Sequence, residues 1–416
     1  MAYLSPMPML RHLWRIPAWC HHGIFDVVYT LLRIPILMIS ARAHNAARYE
    51  WSDEYGDIGP RVPELEEQLF NKKGISSAGD ALLAYREFQV VQEAAEPVRP
   101  ISTFDSAGMH PVMLDNVLRC RYTQPTPIQA YAIPAIFLGN DVVGVAQTGS
   151  GKTAAYLIPI LSRLMGKAKK LAAKRPNPAR YNPDVDAVQA QPLVLIICPT
   201  RELAIQIFDD CRRFCYRSML RPACAYGGAS KREQIAELQR GCDVLIGTPG
   251  RLKDIITNDA RWLSLERVKY TVIDEADEML GMSWEDEMGP LLGGASSIDG
   301  DHQFMLFSAT FPKEARALAR KYLADDCIRL TIGRVGSTHK NIRQDVIWVD
   351  DNMKFQALHD LLLDLPVCRT LIFANSRHKV ELVDDFLYNN VSFHSTFLEN
   401  PMTDQCIGFQ KRHKHA

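Results

Sequence analysis

The 416 residues have room for two or three domains of ordinary size, and two is the starting expectation. Lys and Arg (48) balance Asp and Glu (48), so no global field marks the chain as a nucleic-acid or membrane binder, and any such surface has to be a local patch. The 10 cysteines are scattered without a CxxC pair, which argues against a disulfide framework or a zinc site and for the reduced thiols of a cytoplasmic or nuclear protein.

In chain order, the first feature is the apolar run IFDVVYTLLRIPILMIS, from Ile24 to Ser40. It is short for a membrane span and carries Asp26, Arg33 and Pro35, each of which opposes insertion; a packed helix is the expectation, and a membrane anchor the minority reading. Residues up to 100 form a mixed, charged extension that wraps on a domain or stays loose. From Phe104 onward short apolar runs recur between turn residues: DVVGVAQ, PLVLIICPT, DVLIGTP, YTVIDEAD, FMLFSAT and RTLIFANS. Their lack of alternation predicts strands buried on both faces, and the amphipathic stretches TRELAIQIFDDCRRFCYR and KREQIAELQRGC between them predict helices. The fold class is therefore α/β, a parallel sheet flanked by helices, with functional residues just beyond the carboxyl ends of strands. The basic, Pro-rich segment 166–183 reads as an exposed loop, and Cys211 and Cys215, one helical turn apart, as packing residues.

A glycine-rich turn, Ala146-Gln147-Thr148-Gly149-Ser150-Gly151-Lys152-Thr153, joins a predicted strand to a predicted helix. It matches the phosphate-binding loop except that Ala146 stands at the first glycine. Gly149 and Gly151 allow backbone amides to converge on phosphate oxygens; Lys152 would then reach the β- and γ-phosphates, and Thr153 would ligand Mg²⁺. After the run YTVI come Asp274, Glu275, Ala276 and Asp277, expensive charges at a strand end unless a cation or water sits there. Asp274 is placed to hold Mg²⁺ and Glu275 to orient or deprotonate a water; the alternative is a solvated helix cap.

DEAD at 274–277, SAT at 308–310, PTRELA at 199–204, the pair Gly227 and Gly228, and TPGR at 248–251 stand in an order that resembles the DEAD-box RNA helicases. The resemblance runs from about Phe104 to Asn390, and its surrounding text is most similar to the translation-initiation and germline (Vasa-like) branch. It implies a RecA-like P-loop domain over 101–333 and an incomplete second RecA-like domain over 334–390. Cofactors ATP and Mg²⁺ follow, with a sequence-independent RNA partner and translation-initiation or ribonucleoprotein factors. The stretch RYTQPTPIQ resembles the adenine-reading Q motif, so Gln129 is expected on the adenine edge with Tyr122 and Phe104 as aromatic surface. Pro199, Thr200, Arg201, Gly227, Gly228, Thr248, Pro249, Gly250 and Arg251 are implied to grip a single strand by its phosphates. The bland alternative is that Arg201 pairs with Glu202 and the glycines merely turn the chain. Ser308 and Thr310 are implied to join the carboxylates to the RNA face.

Beyond Asn390 the resemblance fails. Residues 391–416 mix polar, aromatic and basic types without period and are expected to be irregular, leaving no arginine finger. The leading reading is an ATP-dependent RNA helicase in which hydrolysis drives local duplex unwinding. The competing readings are a non-catalytic ATP- and RNA-binding form and a DNA-acting helicase.

Overall fold

The computed structural model describes residues 58–70, 89–171, 173, 176, 181–279, 284–293, 302–333, 345–365, 369–390, 394–399 and 405–410. The apolar run at 24–40 and the end of the chain at 411–416 lie outside the described residues, and no helix within them is long and apolar enough to cross a membrane. The chain divides into two compact units, residues 1–336 and 337–416.

The first unit is an eight-stranded sheet in the order β1-β8-β2-β7-β6-β3-β5-β4. Its strands are β1 (Val90–Glu93), β2 (Val142–Val145), β3 (Val194–Ile197), β4 (Pro222–Ala225), β5 (Val244–Gly247), β6 (Tyr270–Ile273), β7 (Gln303–Ser308) and β8 (Ile328–Ile332). Every pairing is parallel except that of β1 with β8. The helices are α1 (Pro63–Phe70), α2 (Pro111–Arg119), α3 (Pro127–Phe137), α4 (Lys152–Met165), α5 (Ala168–Leu171), α6 (Arg201–Phe214), α7 (Lys231–Leu238), α8 (Pro249–Asn258), α9 (Ala276–Met279), α10 (Trp284–Gly293) and α11 (Lys313–Tyr322). Alternate residues of the unalternating runs separate into two cores. Val142, Val194, Ile196, Val244, Ile246 and Phe307 enter one with α2, α3, α4 and α6, while Val143, Val145, Leu195, Ile197, Leu245 and Leu306 enter the other with α8, α10 and α11. Burial on both faces is why these strands carry Val, Ile and Leu at successive positions.

The sheet is tight where β2 meets β7. A Cβ on Gly144 would stand 2.5 Å from two ring carbons of Phe307, which is itself fully buried with its ring centroid 5.2 Å from that of Tyr156.

The expected extension over residues 1–100 is in part built into this unit. β1 pairs with β8, and α1 buries Leu65, Leu69 and Phe70 against it, with Tyr216 donating to Glu66 (2.8 Å) and Arg213 to the Leu69 carbonyl (3.0 Å). The folded unit therefore begins well before the boundary at 101. The signal was hidden because α1 supplies only three core residues among charged neighbours.

The second unit holds α12 (Lys354–Asp364), β9 (Arg369–Ala374), α13 (Arg377–Asn390), β10 (His394–Glu399) and β11 (Gln405–Gln410). Leu362, Val380, Val383 and Leu387 form its small core. Of the irregular chain expected over 391–416, residues 394–399 and 405–410 are corrected here: β10 pairs with β11 and β11 with β9, all antiparallel. Main-chain pairing supplies the order that the mixed side chains of 394–399 and 405–410 do not announce. The three-stranded sheet is thus antiparallel throughout.

Candidate nucleotide and nucleic-acid site

The carboxyl edge of the large sheet has two halves. The strands β2, β7 and β6 are neighbours and deliver the glycine-rich loop, Ser308-Ala309-Thr310 and Asp274-Glu275. The strands β3, β5 and β4 are likewise neighbours and deliver Pro199-Thr200-Arg201, Thr248-Pro249-Gly250-Arg251 and Gly227-Gly228. Main-chain bonds from Ala146 N to the Ser308 carbonyl (3.0 Å) and from Asp274 N to the Ile197 carbonyl (2.9 Å) hold these ends in register.

In the first half, Gly151 stands at the N-cap of α4 with a φ of +89° that only glycine adopts without strain; Gly149 is likewise left-handed at +76°. Lys152 is buried at the start of α4, and its Nζ donates to the carbonyls of Ala146 (2.7 Å) and Gln147 (3.2 Å). Thr148 and Gly149 are exposed, while Ser150 Oγ is buried with no partner. A cavity of about 290 Å³ is lined by Tyr122, Thr148, Gly149, Lys152, Asp274 and Glu275, with Thr153 also on its wall.

Asp274 is buried, accepts from Tyr156 Oη at Oδ2 (2.9 Å) and from Glu275 N at Oδ1 (3.0 Å). Burial pushes its carboxyl up from the ordinary carboxylate range and pushes Lys152 down, each opposed by the other's charge. Glu275 sits at φ +51°, a strained conformation for a residue with a side chain, and burial together with Glu278 and Asp274 raises its carboxyl to about 7. A carboxyl balanced near neutrality and facing the cavity can take a proton from water.

Asp277 connects these groups to β7. Thr310 donates to its Oδ2 from N (2.9 Å) and Oγ1 (2.7 Å), and its own N donates to Ser308 Oγ (3.3 Å). Burial works against its charge, but the bonds from Ser308 and Thr310 outweigh it and hold the carboxyl below its ordinary value. Ser308 and Thr310 are thereby brought to the carboxylate turn.

Two expected residues take different places. Gln129 is fully buried as the third residue of α3, where its Oε1 accepts from Thr126 N (3.0 Å) and its Nε2 donates to the Gly151 carbonyl (3.1 Å). The capping box turns its amide inward onto the glycine-rich loop, and Gln129 is not among the residues that line the cavity. A Cβ on Gly151 would fall 2.5 Å from that Nε2, so the glycine answers to Gln129 as well as to its own φ. Phe104 is buried behind Tyr122, edge to face at 6.2 Å, and only Tyr122 reaches the cavity. Tyr156 was missed altogether; a lone tyrosine in the apolar run AAYLIPIL, three residues after Thr153, is the signal, since a buried hydroxyl needs a partner.

In the second half, Gly227, Gly228, Gly250 and Arg201 are exposed, and Thr200 caps α6 by accepting from Leu203 N (3.3 Å). Arg201 pairs with Glu202 (2.5 Å), as the bland alternative supposed, at an exposed site where such a pair contributes little stability. Gly228 has φ +77°, and Gly227 N donates to Thr248 Oγ1 (3.4 Å). Arg251 donates through Nη1 to Gln234 (2.8 Å) and through Nη2 to the Ala229 carbonyl (3.1 Å). Glycines and hydroxyls thus stand beside two guanidinium groups along one sheet edge, a surface suited to a phosphate backbone.

Residues 126–318 match the DEAD/DEAH box helicase family. The matched segment contains both halves of the edge and leaves β1, β8, Phe104, Tyr122 and the second unit outside it.

Proposed function

We propose that the chain is an RNA-stimulated ATPase that acts as an RNA helicase, with ATP and Mg²⁺ as cofactors. The observation that carries the reading is the divided sheet edge, with a phosphate loop and paired carboxylates on β2, β7 and β6 and a basic, glycine-rich rim on β3, β5 and β4. The orphaned Ser150 Oγ in the loop and the buried Asp274 carboxylate fit a phosphate and a divalent cation. When bound, Mg²⁺ neutralises phosphate charge; Thr153 and Asp274 are the groups that would hold it.

The chain's own residues then have distinct tasks. The loop amides and Lys152 bind the phosphates, and Lys152 exchanges its bonds to the Ala146 and Gln147 carbonyls for phosphate oxygens. Tyr156 holds the Asp274 carboxylate, and Glu275 accepts the proton of the attacking water. Asp277, through Ser308 and Thr310, links the carboxylate turn to β7, so a shift of one moves the other. RNA rather than DNA as the polymer, the translation-initiation and germline affinity, and translation-initiation or ribonucleoprotein partners rest on the resemblance of RYTQPTPIQ, DEAD and the neighbouring text.

The test is steady-state ATP hydrolysis by the full chain with single-stranded RNA, with the same sequence as DNA, and without either, using Glu275→Gln as the blank. RNA-stimulated turnover above the blank supports the reading. Turnover at the blank level with ATP still bound leaves a nucleotide-binding protein and sinks the enzymatic one; equal stimulation by DNA removes the RNA preference.

A further inference from the structure

We infer that Gln234, on α7 and outside every motif named above, is a positioning residue for the nucleic-acid rim. The inference rests on the nucleic-acid reading of the preceding subsection. Gln234 is buried, 8% exposed, and its amide is used on both sides. Oε1 accepts from Tyr226 N (3.2 Å) and from Arg251 Nη1 (2.8 Å), and Nε2 donates to the Tyr226 carbonyl (3.0 Å). One side chain therefore satisfies both main-chain groups of the residue before Gly227-Gly228. Arg251, held by that same oxygen, donates its second nitrogen to Ala229, the residue after the pair (3.1 Å).

The glycines need such an anchor. Both are exposed, Gly228 is left-handed, and a glycine pair has more conformational freedom to lose than any other dipeptide. With Tyr226 and Ala229 fixed at its ends, the turn presents its amides in one arrangement. The guanidinium of Arg251, from α8, is locked into the same frame, and Lys231 ties α7 to α8 by pairing with Asp254 (2.8 Å) and Asp259 (2.7 Å). Backbone amides and a guanidinium that must meet successive phosphates lose affinity when either is free to wander, because ordering them is then charged to binding. Gln234 removes that cost for two rim elements at once, without reaching the polymer.

The test compares Gln234→Met, which keeps length and loses both hydrogen-bonding groups, with Gln234→Glu, which keeps the acceptor for Arg251 and Tyr226 N and loses the donor. Binding of fluorescent single-stranded oligo(U) in the presence of a non-hydrolysable ATP analogue, binding of the analogue alone, and thermal melting are measured on each full chain. Gln234→Met is expected to weaken RNA binding about tenfold, the equivalent of one charged hydrogen bond, and to change nucleotide affinity less than about twofold. Gln234→Glu is expected to recover only part of the loss, because Arg251 keeps its acceptor while the Tyr226 carbonyl loses its donor. Wild-type RNA affinity in a folded Gln234→Met overturns the proposal, as does a parallel fall of RNA affinity, nucleotide affinity and melting temperature. If Gln234→Met does not fold, Gln234→Glu decides: weaker RNA binding with unchanged nucleotide affinity and melting temperature supports the role, and unsubstituted RNA affinity refutes it. No RNA binding by the unsubstituted chain is a different result, which removes the nucleic-acid reading and this role with it.

Discussion

Gly144→Ala probes how the sheet presents the nucleotide half of the site. The added methyl would lie 2.5 Å from Cδ1 and Cε1 of Phe307, about 0.9 Å short of ordinary contact, and Phe307 has no exposed surface into which to retreat. Overpacking of this kind costs about 1–3 kcal/mol, offset by about 0.5–1 kcal/mol because alanine loses less chain entropy than glycine in a strand. The net expectation is a loss of about 1 kcal/mol within a span of about 0–2.5 kcal/mol, or about 2–4 °C in melting temperature at its centre for a unit of this size. Phe307 packs on Tyr156, whose hydroxyl holds Asp274, so the strain is also expected to reach the carboxylate and lower turnover. Thermal and urea unfolding of Gly144→Ala, Phe307→Leu and the double variant measure the coupling. The double variant should be at least about 1 kcal/mol more stable than the two single losses added together. Strictly additive effects of the two substitutions would refute the claim that glycine is held there by the ring.

The remaining expectations concern the site itself. Because Glu275 has its carboxyl raised to about 7, the folded state favours the protonated form; that stability is complete below the unfolded value of 4.5 and lost as pH rises through 7. Measured without Mg²⁺ or nucleotide, Glu275→Gln should therefore melt about 2–4 °C above the unsubstituted chain at pH 8, about 1 kcal/mol after solvent screening, and nearly with it at pH 5; a pH-independent gap contradicts the assignment. Tyr156→Phe leaves the buried Asp274 one bond short, and urea denaturation should show a loss of about 1.5–3 kcal/mol. Lys152→Ala should abolish binding of fluorescent ATP at concentrations that saturate the unsubstituted chain, and equal binding by both would exclude the phosphate-loop role.

What could be read from the sequence depended on how many purposes each residue serves. Strands buried on both faces and carboxylates at strand ends are dictated by cost, so DVVGVAQ, PLVLIICPT and YTVIDEAD announced β2, β3 and β6 and the polar residues that follow them. β4 is only Pro-Ala-Cys-Ala, without the β-branched residues that mark a strand, and is fixed by its pairing with β5. β8, Ile-Arg-Leu-Thr-Ile, alternates between buried and half-buried positions and so differs from its neighbours. The true positions of Gln129, Tyr156 and Gln234 depend on partners 22, 118 and 17 residues away, and no local pattern reports such bonds.

The same separations set an order of assembly. Closing a loop of 22 residues demands little chain entropy, so the contact between Gln129 and Gly151 can form while the chain is still being made, and it fixes the start of α3 and the turn into α4 in one event. The bond from Tyr156 to Asp274 has to wait for a further 118 residues of chain. The glycine-rich loop waits as well, because both sheet neighbours of β2, the strands β7 and β8, come later in the chain and Ala146 N is held by the Ser308 carbonyl. A nascent chain arrested shortly after α4 would therefore have Gln129 and Gly151 in hand but neither the strands that flank β2 nor the carboxylates that face the loop.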